Sequence, residues 1–351
     1  IWNEPNQPGW LTPQWVQGGA GDFAEAAPRL YRGLLDAAYA GLQVSGHGGD
    51  TILIGETAPK GAPTSDITKA MAPLKFVRAL YCVGADLRPL TGAAAQVRGC
   101  PQTEAEAKAF PDAHPALFQA TGYGHHPYEL YARPATRPRN RDYVTISVLP
   151  RLTSTLERIF GAYGRDRPGL PLYLTEFGYN TDPPNPTGVT LRSQAAYLNQ
   201  AEYIARRDPS VQTLTQFLLV DAARPKPSES GGAGYATTFQ TGLKFASGKK
   251  KPSYDAYALP LFLPSTTQAR GGRLRVWGLV RPARRLRASQ RVSIQLRSRG
   301  RYRTLRTVRT RRASGILDVR VRVPRRGSLR LAWRRGKSVV FSRSVAVRVR
   351  R

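Results

Sequence analysis

The feature that most constrains the fold of this chain is a change of hydrophobic period about three quarters of the way along it. Residues 1–264 alternate short apolar runs with stretches whose apolar residues recur at helical spacing. Residues 265–351 instead alternate apolar with polar residues one by one, between turns rich in Gly, Pro and Arg. The first pattern is α/β. Strands are expected at Ile1–Asn6 (a strand end and its loop), Thr51–Gly55, Phe118–Gly122, Pro171–Thr175 and Gln212–Val220. Between them, helices are expected from an Asp22 cap to about Leu42, and from a Ser65 or Asp66 cap over Ile67 to about Cys82. Further helices are expected over Glu104–Phe110, Ile146–Tyr163, Ser193–Arg207 and Ser253–Leu259.

Such alternation gives parallel strands joined by helical crossovers, and both an eight-stranded barrel and an open doubly wound sheet fit the order. No Gly-rich loop follows any strand, so a nucleotide site has no support. In the second pattern, Leu274–Val280, Val292–Leu296, Ile316–Val323, Leu329–Trp333 and Val339–Val349 read as short amphipathic strands. They predict a small all-β sandwich of immunoglobulin-like size, with Trp277 and Trp333 in its core. Residues 260–267 read as the linker, giving domains 1–264 and 265–351.

Charge divides at the same place. Residues 1–264 hold 26 Lys and Arg against 22 Asp and Glu, a net of +4, whereas residues 265–351 hold 28 against one, a net of +27. The tail is therefore either a solvated arginine-rich face or a surface for an anionic partner, such as a cell-wall polymer or acidic polysaccharide. Aromatics are sparse among these arginines, so nucleic acid is not the expected partner. No apolar run reaches the roughly 18 residues of a membrane span. Cys82 and Cys100 lie in sequence rich in Gly, Pro and Arg, which favours a disulfide in an exported protein over two free thiols. They lack the paired histidines of a metal site.

Two glutamates stand in aromatic-rich motifs far apart in the chain. Glu4 lies in Trp2-Asn3-Glu4-Pro5-Asn6, and Glu176 lies in Leu172-Tyr173-Leu174-Thr175-Glu176-Phe177-Gly178-Tyr179 at the end of an apolar run. A pair of carboxylates on separate strand ends suits glycoside hydrolysis, where a protonated group donates to the leaving oxygen and an ionised one attacks the sugar. His126 and Tyr128 follow a third strand-like segment and are candidate substrate ligands or buried structural groups. His125 is expected to be structural or exposed. Glu56 follows Thr51–Gly55 and would either touch sugar hydroxyls or pair with an arginine. Trp10 and Trp15 would offer stacking faces or simply pack, and Asp221 is a weaker candidate at the end of the last strand.

These motifs resemble the clan A glycoside hydrolases, retaining (β/α)8-barrel enzymes that include the cellulase-like family 5 and the xylosidase-like family 39. In that clan an Asn-Glu pair ends strand four and the nucleophile ends strand seven. The resemblance covers residues 1–264 and implies Glu4 as acid/base, Glu176 as nucleophile and Asn3 as a ligand of the sugar 2-hydroxyl. It places His126 and Tyr128 beside the nucleophile, and it implies no cofactor and no metal. Strands four to eight of a TIM barrel would be present and the first half missing, with the strand-two arginine of the clan. Gln216 and Phe217 stand where a strand-eight Trp is usual. Because the chain opens at Ile1, inside an apparent strand, the sequence reads as truncated at its N-terminus, with an export signal expected ahead of it. The implied protein is an extracellular or wall-associated retaining glycosidase. The alternative is a non-catalytic carbohydrate-binding or surface-adhesion protein on a decayed barrel.

Overall fold

The computed structural model describes residues 1–18, 22–165, 168–223, 238–281, 289–311 and 314–350. The chain forms two compact units: Ile1–Phe177 with Asp208–Gln216, and Gly178–Arg207 with Phe217–Arg351. The division therefore does not fall at residue 264.

The first unit is built on four parallel strands: Leu53–Thr57, Gly122–His125, Leu172–Phe177 and Val211–Gln216. They lie side by side in chain order, with no reversal. A doubly wound sheet reverses its order at a switch point, so this winding differs from that alternative. Four strands among the described residues do not close a barrel.

Helices Ala27–Val44, Pro73–Leu80 and Pro150–Ala162 each begin with a proline in the first turn, where its missing N–H costs nothing. Ala27–Val44 buries Tyr31, Leu35 and Tyr39 at four-residue spacing. Tyr81, Phe118 and Phe160 pack together as an aromatic centre. Helix Glu104–Ala113 carries a full capping box, with Thr103 and Glu106 satisfying each other's backbone N–H groups. Cys82 and Cys100 form a disulfide across 18 residues. No helix among the described residues is long and apolar enough to cross a membrane.

Several expectations are corrected here. Residues 1–6 form no strand; instead Glu4 N donates to Glu56 O at 3.0 Å, and Tyr31 Oη donates to Ile1 O at 2.9 Å. Asp22 caps no helix, because Phe23–Glu25 pairs as a strand with Trp15–Gln17 and the helix starts only at Ala27. The helix expected over Ile67–Cys82 is confined to Pro73–Leu80, where proline fixes its first turn. Phe118–Gly122 is not a strand: Pro115–Gln119 is a short helix, and the strand follows at Gly122–His125. Glycine-rich and without β-branched residues, Gly122–His125 carries almost none of the composition that marks a strand.

The second unit holds helices Leu191–Ala205 and Pro252–Ala258 and a two-sheet all-β arrangement. One sheet orders Thr267–Ala269, Val345–Arg350, Gly327–Arg335, Arg291–Ser298 and Arg301–Arg309, with Ser338–Phe341 beside Gly327–Arg335. The other orders Ile316–Val321, Leu274–Leu279 and Leu261–Phe262. Alternate residues of both sheets, among them Val276, Ile294, Leu317, Leu331 and Trp333, share one apolar core. Trp277 is buried but lies outside that core, its ring edge-on to Tyr203 at 5.6 Å. The expected linker is not one, since Leu261–Phe262 pairs with Trp277 and Gly278. Arg301–Arg309 is a strand that patterning missed, because this edge strand is mostly exposed and only Val308 and, in part, Leu305 reach the core, too few and too widely spaced to show alternation.

Candidate active site

Three strands of the parallel sheet, together with the segment beside them, deliver the candidate residues to one place. The Leu53–Thr57 strand brings Glu56, and pairing with its neighbour shifts register between Gly55 and Thr57. Gly55 has φ 96° and Glu56 φ 48°, so the bulge re-aims the Glu56 side chain. Gly124, on the neighbouring strand, supplies the room: a Cβ there would lie 2.1 Å from Glu56 Oε1. Glu4 is also held at positive φ, 37°. Left-handed backbone at two non-glycine residues of one cluster is the kind of strain that collects at working sites.

His126 forms the hub. Its Nδ1 lies 2.9 Å from Glu4 Oε1 and 3.6 Å from Glu176 Oε2, while Nε2 lies 2.9 Å from Glu56 Oε2. Thr175 Oγ1 donates to Glu56 Oε2 at 2.5 Å, and Tyr128 Oη donates to Glu176 Oε2 at 3.0 Å. Pro127 sits at the centre of a tight turn closed by Tyr128 N on His126 O, which delivers both rings to the cluster. The Tyr128 ring lies near-parallel to Phe177, with centroids 6.2 Å apart. The His126 side chain is only 1 % exposed, whereas Glu4 and Glu176 reach solvent at 19 % and 26 %. The imidazole is thus internal and the two outer carboxyls are accessible.

Electrostatics follow from that arrangement. Burial alone would lower the His126 pKa, but hydrogen bonds to Glu4 and Glu56 and the charge of Glu176 outweigh it and hold the ring up at about 9. Burial works to raise Glu56, yet bonds from His126 and Thr175 prevail and hold it below the ordinary carboxylate value. Glu176 goes the other way. Burial and the neighbouring Glu4 and Glu56 raise it, against the pull of His126 and Tyr128. Burial, then Glu176, pushes the Tyr128 phenol well up, so it remains a donor. Glu4, His126 and Glu176 each bring a ligand atom to within 4.8 Å of the others, the spacing of a small metal site. Both ring nitrogens of His126 face carboxylates, however. A metal ion binding there would have to displace a proton from the ring.

The structure therefore gathers Glu4, Glu56, His126, Tyr128 and Glu176. Glu56 pairs with a histidine, not an arginine. No hydrogen bond among the described residues joins the Asn3 side chain to the group. Trp10 is 54 % exposed, and its carbonyl accepts from Trp2 Nε1. Trp15 is not a stacking face: its ring is buried, Lys75 covers it, and its Nε1 donates to Lys69 O. His125 is structural, with bonds to Thr57 and Val144 and burial driving its pKa down to about 4.

Asp221, in the second unit, is no ligand either. It lies beyond the strand end at Gln216, buried against Lys251 Nζ at 2.7 Å. Sequence reasoning missed Thr175 and Gly124. The signal for Thr175 was its place beside Glu176, where register slips again between Leu174 and Phe177.

No protein-family model matches this chain, and no curated protein matches it. Among solved structures it is similar to a beta-glucuronidase from Parabacteroides merdae, at 11 % identity and a TM-score of 0.32, covering 92 % of this chain and 39 % of that one. A GH2 beta-galacturonidase from Eisenbergiella tayi, bound to galacturonate, has the same identity and TM-score and covers 66 % and 36 %. The sulfur carrier protein SoxY from Chlorobium limicola, at 14 % identity and a TM-score of 0.21, covers 26 % and 79 %. The chain thus spans under two fifths of either glycosidase. Likeness at these TM-scores decides neither fold nor function.

Proposed function

We propose that this protein is a retaining glycoside hydrolase acting on a poly- or oligosaccharide. One observation carries the reading: Glu4 and Glu176, 172 positions apart in the sequence, converge on His126 with oxygens within 4.8 Å of each other. Retaining enzymes place their two carboxyl groups roughly 5–5.5 Å apart, against 6.5–9.5 Å for inverting ones. The chain-order winding of the parallel sheet supports a barrel-type reading of the first unit.

In the first step a Glu176 oxygen attacks the anomeric carbon as the bond to the leaving oxygen breaks, and Glu4 passes its proton to that oxygen. In the second, Glu4 takes a proton from water. The water oxygen displaces Glu176 from the anomeric carbon and frees the sugar. Tyr128 donates to Glu176 and steadies it as an anion, and a raised Glu176 is the more basic nucleophile. His126, held by Glu56, fixes Glu4 in position. Asn3 and Trp10 stand at the same end of the chain as Glu4 and are proposed to contact sugar. The disulfide supports export.

A panel of aryl glycosides followed by proton NMR tests this. Product released first with the anomeric configuration of the substrate supports the assignment. Inverted product overturns it. No turnover on any sugar favours the carbohydrate-binding alternative. The raised Glu176 also fits exchanged roles, with Glu176 as the acid. Trapping with 2-deoxy-2-fluoro glycosides and peptide mapping decides between them, since the label marks the nucleophile.

A further inference from the structure

The two-sheet region of the second unit carries a groove that the hydrolase reading does not use. It has a volume of about 780 Å³ and is lined by Arg297, Arg299, Arg325, Arg326 and Arg348, with neither an acidic nor an aromatic side chain in its wall. We propose that this groove is a binding site for a carboxylate-bearing polysaccharide, a polyuronate chain laid along the five guanidinium groups. The choice of a glycan ligand rests on the reading of the first unit as carbohydrate-active; the groove itself does not.

Three observations carry it. First, these arginines have no internal counter-charge. Residues 265–351 hold a single acid, Asp318, and both of its oxygens are taken by Arg275 at 2.8 and 2.6 Å. Among the described residues none of the five groove arginines has a side-chain hydrogen bond or an ion pair. Like charges crowded this way repel, and an arriving polyanion relieves the repulsion.

Second, the backbone is shaped for the groove. Arg299 and Gly300 are the turn between Arg291–Ser298 and Arg301–Arg309, with φ of 54° and 83°. Two positive φ values mark a tight hairpin turn whose first position ordinarily takes Asn, Asp or Gly. An arginine there accepts backbone strain in order to stand in the groove. On the adjoining strand Gly327 allows close approach, since a Cβ would lie 2.3 Å from Arg297 O.

Third, the chemistry of the wall suits an anionic chain without stacked bases. Guanidinium forks match carboxylates two bonds at a time, as they do phosphates, so the fork suits an anionic chain and the glycan reading of the first unit chooses the carboxylate. A wall without aromatic rings gives no platform for stacked bases, on which single-stranded nucleic acid binding depends.

The test uses the full chain carrying Glu176→Gln, so that turnover does not consume the ligand, and reads retention on immobilised polygalacturonate across a salt series. Dextran serves as the neutral control and duplex DNA as the competitor. Two variants with the same change in net charge are compared: Arg325→Glu with Arg326→Glu in the groove, and Arg334→Glu with Arg335→Glu outside it. The expected result is salt-sensitive retention on polygalacturonate but not dextran, weakened about tenfold by the groove pair and little by the distal pair. Equal losses from both pairs, or no retention at all, overturn the site. Stronger competition by DNA than by free polygalacturonate overturns the ligand class. Circular dichroism of each variant separates lost binding from lost folding. Retention reads the groove and wild-type turnover reads the two glutamates, so either reading can fail without the other.

Discussion

Each unit of this protein buries an ionic cluster, and the two are made differently. In the second, the Lys251 ammonium is fully buried and its three protons meet three acceptors: Asp221 Oδ1 at 2.7 Å, Thr181 Oγ1 at 2.8 Å and Gln240 O at 2.9 Å. Burial lowers the lysine pKa and raises that of the aspartate, and their mutual attraction opposes both shifts without cancelling them. One cation faces one anion, so charge balances, and all three ammonium protons are met, although Asp221 Oδ2 is buried without a hydrogen-bond partner among the described residues. In the first unit one imidazolium faces three carboxylates. No arrangement of those four groups is neutral while all are ionised. A balanced cluster is finished as it stands. An unbalanced one with two carboxyls open to solvent is poised to hold or release a proton, which is what acid/base chemistry requires.

The contrast can be broken experimentally. The largest effect is expected at the unbalanced cluster: Glu176→Gln should lower turnover about a thousandfold or more while the protein stays folded. Activity near wild type would remove Glu176 from the chemistry. Next, Lys251→Met should leave turnover per folded molecule unchanged but destabilise by about 3–5 kcal/mol, because Asp221 is left buried and unpaired. Denaturant titration reads this, and the double variant with Asp221→Leu should recover most of the loss.

A smaller effect concerns pH. His126 has a folded pKa of about 9, above the ordinary 6.5. Its contribution, on the order of 3 kcal/mol, is therefore fully present below pH 6.5 and is lost as pH rises through about 9. Melting temperature should fall across that window in the wild type and flatten in His126→Gln; equal slopes would mean that the ring is not held charged. The smallest change is Thr175→Val, which removes one hydrogen bond to Glu56 and should cost about 1 kcal/mol. Its pH-rate profile should shift slightly, whereas a removed surface hydroxyl would leave the profile untouched.

Much of the unbalanced cluster was legible. Asn-Glu-Pro near the start, a glutamate near the end of an apolar run and His-Pro-Tyr after a short segment are local signals, and each stands on or beside a strand end. The partner of Glu56 was not legible. The contact joins residues 70 positions apart and depends on a bulge that only sheet pairing creates. The balanced cluster was hidden for a similar reason: Lys251 falls in a run of exposed-looking lysines, Lys249-Lys250-Lys251, and nothing local separates the buried one from the others. The two-sheet region was the easier fold to read, because alternation survives one residue at a time. It failed where alternation is short or weak: at Leu261–Phe262, within the expected linker, at Thr267–Ala269, where that linker ends, within Val339–Val349, which is two strands, and at the mostly exposed Arg301–Arg309.

Gly124 gives the cluster an unusual kind of dependence. The space beside its Cα is taken by a carboxylate of another strand, so the smallest possible side chain would evict Glu56 from the imidazole. A scan that swapped each residue of this strand for alanine would find that an uncharged position, with no side chain of its own, shifts the carboxylate it faces. The acid–base character of the site rests partly on a methyl group that is missing.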